Sequence, residues 1–207
     1  MARNRYLPDI QVKKYPRQSR SRLSFAALLE ACAGILVEQG YEGVTTNSIA
    51  ARAGVDIATL YEYFPNKESI IAELVKREFS ACLNAAAQEL QHSLQLSQQG
   101  AAEHIIQWTV EWMDQRKGLL SILWLDVPFV RHLPVTEQTL HDTALIIQAA
   151  AESDHRIRLA DANGDVWLVT RMLFGSLLEI CALPIDDPRR PALIREYIRI
   201  CYRIAFG

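Results

Sequence analysis

The sequence predicts an all-α protein in two parts: an N-terminal three-helix domain holding a helix-turn-helix, and a C-terminal antiparallel helical domain. Three observations predict it. Apolar residues recur at the three-and-four spacing of α-helices from Phe25 to Ala205. Two short helical runs flank Gly54 between Thr45 and Lys67, as in a helix-turn-helix. No internal repeat or β-rich segment competes with this pattern. The 207 residues, half of them hydrophobic, suffice for one small and one larger core. The predicted boundaries are a basic flexible arm over 1–20, the helix-turn-helix domain over 21–66 and the helical body over 67–207.

Residues 1–20 mix Pro8, Pro16, Arg and Lys without periodicity, which predicts a mobile arm. Residues 1–22 carry seven basic side chains against Asp9, whereas residues 78–207 carry eleven basic and sixteen acidic ones. The formal charge of the whole chain is only −2, so it is this distribution that suits a polyanion at one end. The first helix is expected from Ser21 or Ser24 to Gln39, with Phe25, Leu28, Leu29, Cys32, Ile35 and Leu36 inward and Gly40 ending it. Thr45 and Thr46 are N-cap candidates for the second, with Ile49, Ala50 and Ala53 at helical spacing. Gly54 supplies a left-handed turn residue, Val55 plugs the turn and Asp56 caps the third helix, whose inward residues are Leu60 and Phe64. Pro65 and Asn66 stop it.

A long helix is expected from Lys67 through Leu83, ending in the Gln-rich run 88–99 and a loop at Gly100. Helical segments follow at 102–115, 118–127 and 135–153, then a polar loop over 153–165 marked by Asn163 and Gly164. Residues 165–183 are apolar almost all round, and 191–206 carry Ile194, Tyr197, Ile198, Cys201 and Ala205 on one face. A helix that is apolar on every side must be covered on every side, so these two segments are expected to pair with their copies in a homodimer.

The helix-turn-helix has further content. Thr46, Ile49, Ala50, Ala53, Gly54, Val55, Thr59, Leu60, Tyr61, Tyr63, Phe64, Lys67 and Glu68 resemble the signature of the TetR family of bacterial transcriptional regulators. The resemblance extends upstream through Leu28, Ala31, Ile35, Leu36, Gly40 and Tyr41 and covers roughly residues 22 to 75; beyond that, only the all-helical pattern agrees. It implies a dimeric regulator, most often a repressor, that binds a palindromic DNA operator and holds a small-molecule effector in its C-terminal domain. Asn47, Ile57, Ala58 and Thr59 match the family's base-reading positions. Thr46, Tyr61, Tyr63 and Lys67 match its phosphate-contacting ones. Ile57 and Ala58 offer no hydrogen bond, so they suit thymine methyl groups, while Asn47 suits adenine.

Enzyme signatures of the GxSxG, HExxH, Walker and GxGxxG types are absent, so no catalytic residue, metal or cofactor is expected. Glu89–His92 and Glu152–His155 have the Glu-x-x-His spacing of di-iron bundles, but their polar surroundings assign them to the surface. A helical-bundle enzyme acting on an apolar compound is the rival reading. The effector site is expected among His104, Trp108, Trp112, Trp124, Phe129, Arg171 and Met172, part of an aromatic set that also includes Trp167, Phe174 and Met113. Cys32, Cys82, Cys181 and Cys201 lie in apolar helical contexts without CxxC spacing, which predicts buried structural thiols, with a redox sensor as the alternative. The N-terminus lacks the apolar core of a signal peptide and no run is long enough to span a bilayer, so a cytoplasmic protein is expected.

Overall fold

The computed structural model describes residues 8–93, 95–153, 157 and 165–206, which form nine α-helices, two short 3-10 turns and no strand. The helices are α1 (Ser19–Gln39), α2 (Thr46–Ala53), α3 (Ile57–Tyr63), α4 (Lys67–Ser93), α5 (Gln98–Gln115), α6 (Leu119–Asp126), α7 (Pro134–Ser153), α8 (Asp165–Ala182) and α9 (Arg190–Phe206). They group into two compact units, Met1–Glu78 with Ile122–Thr136, and Phe79–Ser121 with Glu137–Gly207. Helices α4, α6 and α7 contribute residues to both.

The first unit forms around α1. Leu28, Ile35 and Leu36 of α1, Ile49 of α2, Leu60 of α3 and Phe64 are each at most 1–2% exposed. Phe25 stacks on Phe64 with ring centroids 4.9 Å apart and meets Tyr63 edge-on at 5.5 Å. Complete burial of an aromatic or a leucine contributes roughly 1.5–3 kcal/mol, so this cluster is the unit's main source of stability. The segment 122–136 adds Leu123, Val130 and Leu133, all fully buried. Helix α1 begins at Ser19, earlier than either serine expected to start it. Both serines lie inside the helix, where the Ser21 and Ser24 hydroxyls donate to the carbonyls of Gln18 and Arg20.

The arm is not loose over its described part. The Lys13 backbone N–H donates to the Tyr63 carbonyl at 2.8 Å and its ammonium to the Tyr61 carbonyl at 3.0 Å. Asn66 Nδ2 donates to the Asp9 carbonyl at 2.9 Å, and the Tyr15 hydroxyl to Glu73 at 3.0 Å. A cation at the orphan carbonyls of a helix C-terminus is favourable, and α3 ends there. Residues 1–7 of the expected arm lie outside the described residues.

In the second unit, α5, α8 and α9 are tied by one buried ion pair. Arg190 is 4% exposed and donates two hydrogen bonds to Asp114, at 2.6 and 3.0 Å, and a longer one to the Ile180 carbonyl. Asp114 beside it raises the guanidinium pKa above its usual value. The Tyr197 hydroxyl of α9 donates to the Leu173 carbonyl of α8 at 2.9 Å. Gly100, expected in a loop, lies in the first turn of α5, because the Ser97 hydroxyl accepts from its N–H and caps the helix there. Apart from Ile157 and the helix ends at 153 and 165, the polar loop expected over 153–165 lies outside the described residues.

Candidate nucleic-acid interface and apolar cavity

The corner between α2 and α3 is built by local hydrogen bonds. The Thr45 hydroxyl accepts from the Ser48 N–H and the Ser48 hydroxyl from the Thr45 N–H, each at 3.0 Å. Gly54 turns the chain at φ 63°, a left-handed conformation that costs a Cβ-bearing residue about 1–2 kcal/mol. Asp56 then accepts from the Ala58 N–H at 2.8 Å and starts α3. With Leu60 and Phe64 committed to the core, α3 turns Ala58 and Tyr61 to solvent and leaves Ile57 and Thr59 half-buried. Asn47 of α2 is also exposed. The Thr46 and Tyr61 hydroxyls hydrogen-bond at 3.1 Å, which joins the first turn of α2 to the outer face of α3. Lys67 holds its ammonium 4.2 Å above the Tyr41 ring. Seven of the eight expected DNA-contacting residues thus lie at least partly in solvent. Tyr63 does not: it is 4% exposed, its ring held edge-on by Phe25, a correction to its expected phosphate contact.

The second unit encloses a cavity of about 300 Å³. Its wall comes from α4 to α9, with Phe79, Ile106, Ile146, Phe174 and Ile204 among the large side chains. Among the described residues, no Asp, Glu, Lys, Arg or His belongs to the lining. The hydroxyls there are largely committed to helix carbonyls: Ser93 donates to Leu90, Thr109 to Ile105, Thr143 to Thr139 and Thr170 to Val166, all within 2.7–2.8 Å. A ligand there gains mainly apolar burial.

The sequence profile described as "Bacterial regulatory proteins, tetR family" matches residues 28–74, which run from the core of α1 through the helix-turn-helix into α4. The helix-turn-helix region is that of the TetR family. It is 39% identical over 64 residues to the HTH-type transcriptional repressor KstR of Mycobacterium tuberculosis, a match covering 31% of this chain and 27% of KstR. The chain thus spans about a quarter of the length of the KstR repressors it matches. It is 23% identical over 163 residues, 77% of each chain, to the HTH-type transcriptional regulator YdgC of Bacillus subtilis. Among solved structures, Bacillus subtilis FadR in complex with stearoyl-CoA superposes with a TM-score of 0.66 at 19% identity, over 87% of this chain and 98% of FadR. The curated relatives are named as regulators of transcription and not as enzymes.

None of the seven residues expected to line the effector site lines the cavity. Trp124 and Phe129 belong to the first unit, where Arg131 sits over the Trp124 ring and Tyr41 meets Phe129 edge-on. Trp112 is buried beneath the Arg116 guanidinium, 3.4 Å from its ring centroid, and Trp108 is half-buried. Arg171 pairs with Glu137 at 2.8 and 3.0 Å and covers Trp167, Met172 is 63% exposed, and His104 bonds Glu89. Of the wider aromatic set, only Phe174 and Met113 reach the lining. The large rings fill space, whereas the void lies where Ala86, Ala87, Ala102 and Ala150 leave room. Small residues on inward helical faces were the available signal. Burial pushes the thiols of Cys32 up to about 12 and of Cys181 and Cys201 up to about 11, which disfavours the thiolate a redox sensor needs.

Proposed function

We propose that this chain is a cytoplasmic, homodimeric transcriptional repressor that binds a palindromic operator and is released by a small, largely apolar effector. The observation that carries the reading is the contrast between two sites on one chain. One is a helix-turn-helix whose exposed Asn47, Ala58 and Tyr61 face away from its own core; the other is a cavity with no charged residue among its described lining. The TetR family assignment supports the first and the lining chemistry the second. Among the described residues no helix is long and apolar enough to cross a membrane.

Dimerisation is supported by what α8 and α9 leave in water. Leu168 and Met172, one turn apart on α8, are 52% and 63% exposed, and Leu193 and Ile200 on α9 are 41% and 42% exposed. Gly175 continues the α8 stripe with nothing near its Cβ position, which permits close helix approach. A second copy covering this face gives the four-helix contact and sets two reading helices one DNA turn apart. Effector action rests on α4, a single helix whose Ile70, Ile71 and Leu74 are core residues of the first unit and whose Phe79, Leu83 and Leu90 line the cavity. An effector that prefers the arrangement unable to span both half-sites weakens operator binding; one that binds both arrangements equally shifts nothing.

Selection of duplex DNA from a random pool tests this. An inverted repeat with A/T-leaning half-sites is expected, bound with steep salt dependence and released by apolar compounds. Replacing half-site thymines with uracil removes only the methyl groups facing Ile57 and Ala58 and should cost roughly 1–3 kcal/mol per contacted pair. Absence of salt-dependent duplex binding refutes the regulator, and unchanged affinity at every uracil refutes the proposed readout.

A further inference from the structure

We infer that Glu89, His92 and His104 form a binding site for a divalent transition-metal ion of the zinc class. One ligand atom of each of the three lies within 4.8 Å of the others. Glu89 and His92 are three residues apart on α4 and so share one face, and His104 approaches them from α5. His104 Nε2 lies 2.5 Å from Glu89 Oε1, and the His92 and His104 ring centroids are 5.6 Å apart. A Glu–His pair alone would tie α4 to α5. A second imidazole brought to the same point is what a metal ion requires and an ion pair does not.

The donor set selects the ion. Two imidazoles and one carboxylate suit zinc, cobalt, nickel and copper, whereas magnesium and calcium take oxygen ligands almost exclusively. Tetrahedral coordination at about 2.0–2.1 Å sets ligand atoms roughly 3.3 Å apart. His92 is exposed, so its ring has solvent to turn through as the three ligand atoms draw together. Binding takes the place of the His104–Glu89 hydrogen bond, with each imidazole bound as its neutral form and keeping its remaining N–H on the other ring nitrogen, and the fourth position stays open to water. The site joins the last turns of α4 to the first turns of α5. Leu90 and Ser93 on one helix and Ala101, Ala102 and Ile105 on the other line the cavity, so the ion would fasten two of its walls together.

The test uses the full-length, untagged chain with cobalt(II) as the probe. Saturable binding of one ion per chain is expected, with ligand-field absorption bands and two imidazoles counted by X-ray absorption on the unaltered protein. His92→Ala and His104→Ala should each weaken binding by at least about tenfold. His141→Ala, an exposed histidine outside the trio, should leave it unchanged. Circular dichroism checks that the variants fold, and if one does not, the imidazole count on the unaltered chain decides alone. No saturable binding, fewer than two imidazoles, or binding kept by folded His92→Ala and His104→Ala variants overturns the site.

Discussion

The apolar cavity makes a quantitative prediction about its ligand. With no charged residue among the described lining and most hydroxyls already donated to helix carbonyls, affinity should come from apolar burial and scale with chain length. Each buried methylene contributes about 0.8 kcal/mol, a factor of about four in the dissociation constant. A water molecule's share of liquid volume is about 30 Å³, and a methylene is of similar size. The cavity of about 300 Å³ therefore holds on the order of ten carbons. Primary alcohols from butanol to tetradecanol, titrated by calorimetry and by release of fluorescent operator DNA, should tighten about fourfold per methylene, then level off near decanol. Six methylenes then account for about 5 kcal/mol, or three to four decades of affinity. A negative heat-capacity change should grow over the same range. Affinity that ignores chain length, or that improves with added polar groups, refutes the argument that the cavity selects by apolar burial.

The other expectations concern stability and assembly. Asp114→Ala leaves Arg190 buried without its carboxylate and should cost about 3 kcal/mol in urea unfolding; a loss under about 1 kcal/mol would mean that the pair does not hold α5 to α9. Ser121 Oγ is buried with no hydrogen-bond partner among the described residues, so Ser121→Ala should stabilise the protein by about 1 kcal/mol, and a destabilised variant would reveal a partner. Leu168→Glu combined with Met172→Glu places charge on the exposed α8 stripe without entering the core, and sedimentation should then find folded monomers. A folded dimer from that variant moves the interface elsewhere. Leu177 suits such a test poorly, since it lines the cavity.

What the sequence determined by itself is local. The Thr45–Ser48 capping box, the left-handed Gly54 and the Asp56 cap each involve partners within three residues or a single backbone conformation, so residue type and spacing specify them. The inward stripe of α1 follows from periodicity, and the exposed Ala58 and Tyr61 follow from which α3 positions the core already uses. Tertiary structure decided the rest. Lys13 reaches the end of α3 from fifty residues away, and Arg190 meets Asp114 across 76, so no window of sequence holds both partners. Tyr63 is amphipathic, and only the position of Phe25 turns its ring inward. Periodicity states that a helical face points inward, but not whether the facing side chains meet or leave a gap. A cavity belongs to no residue: it lies where alanines from four helices contribute to the wall, while none of the tryptophans lines it. The Glu-x-x-His pair on α4 reads as surface until α5 sets His104 against it, and that convergence is a property of the packed helices alone.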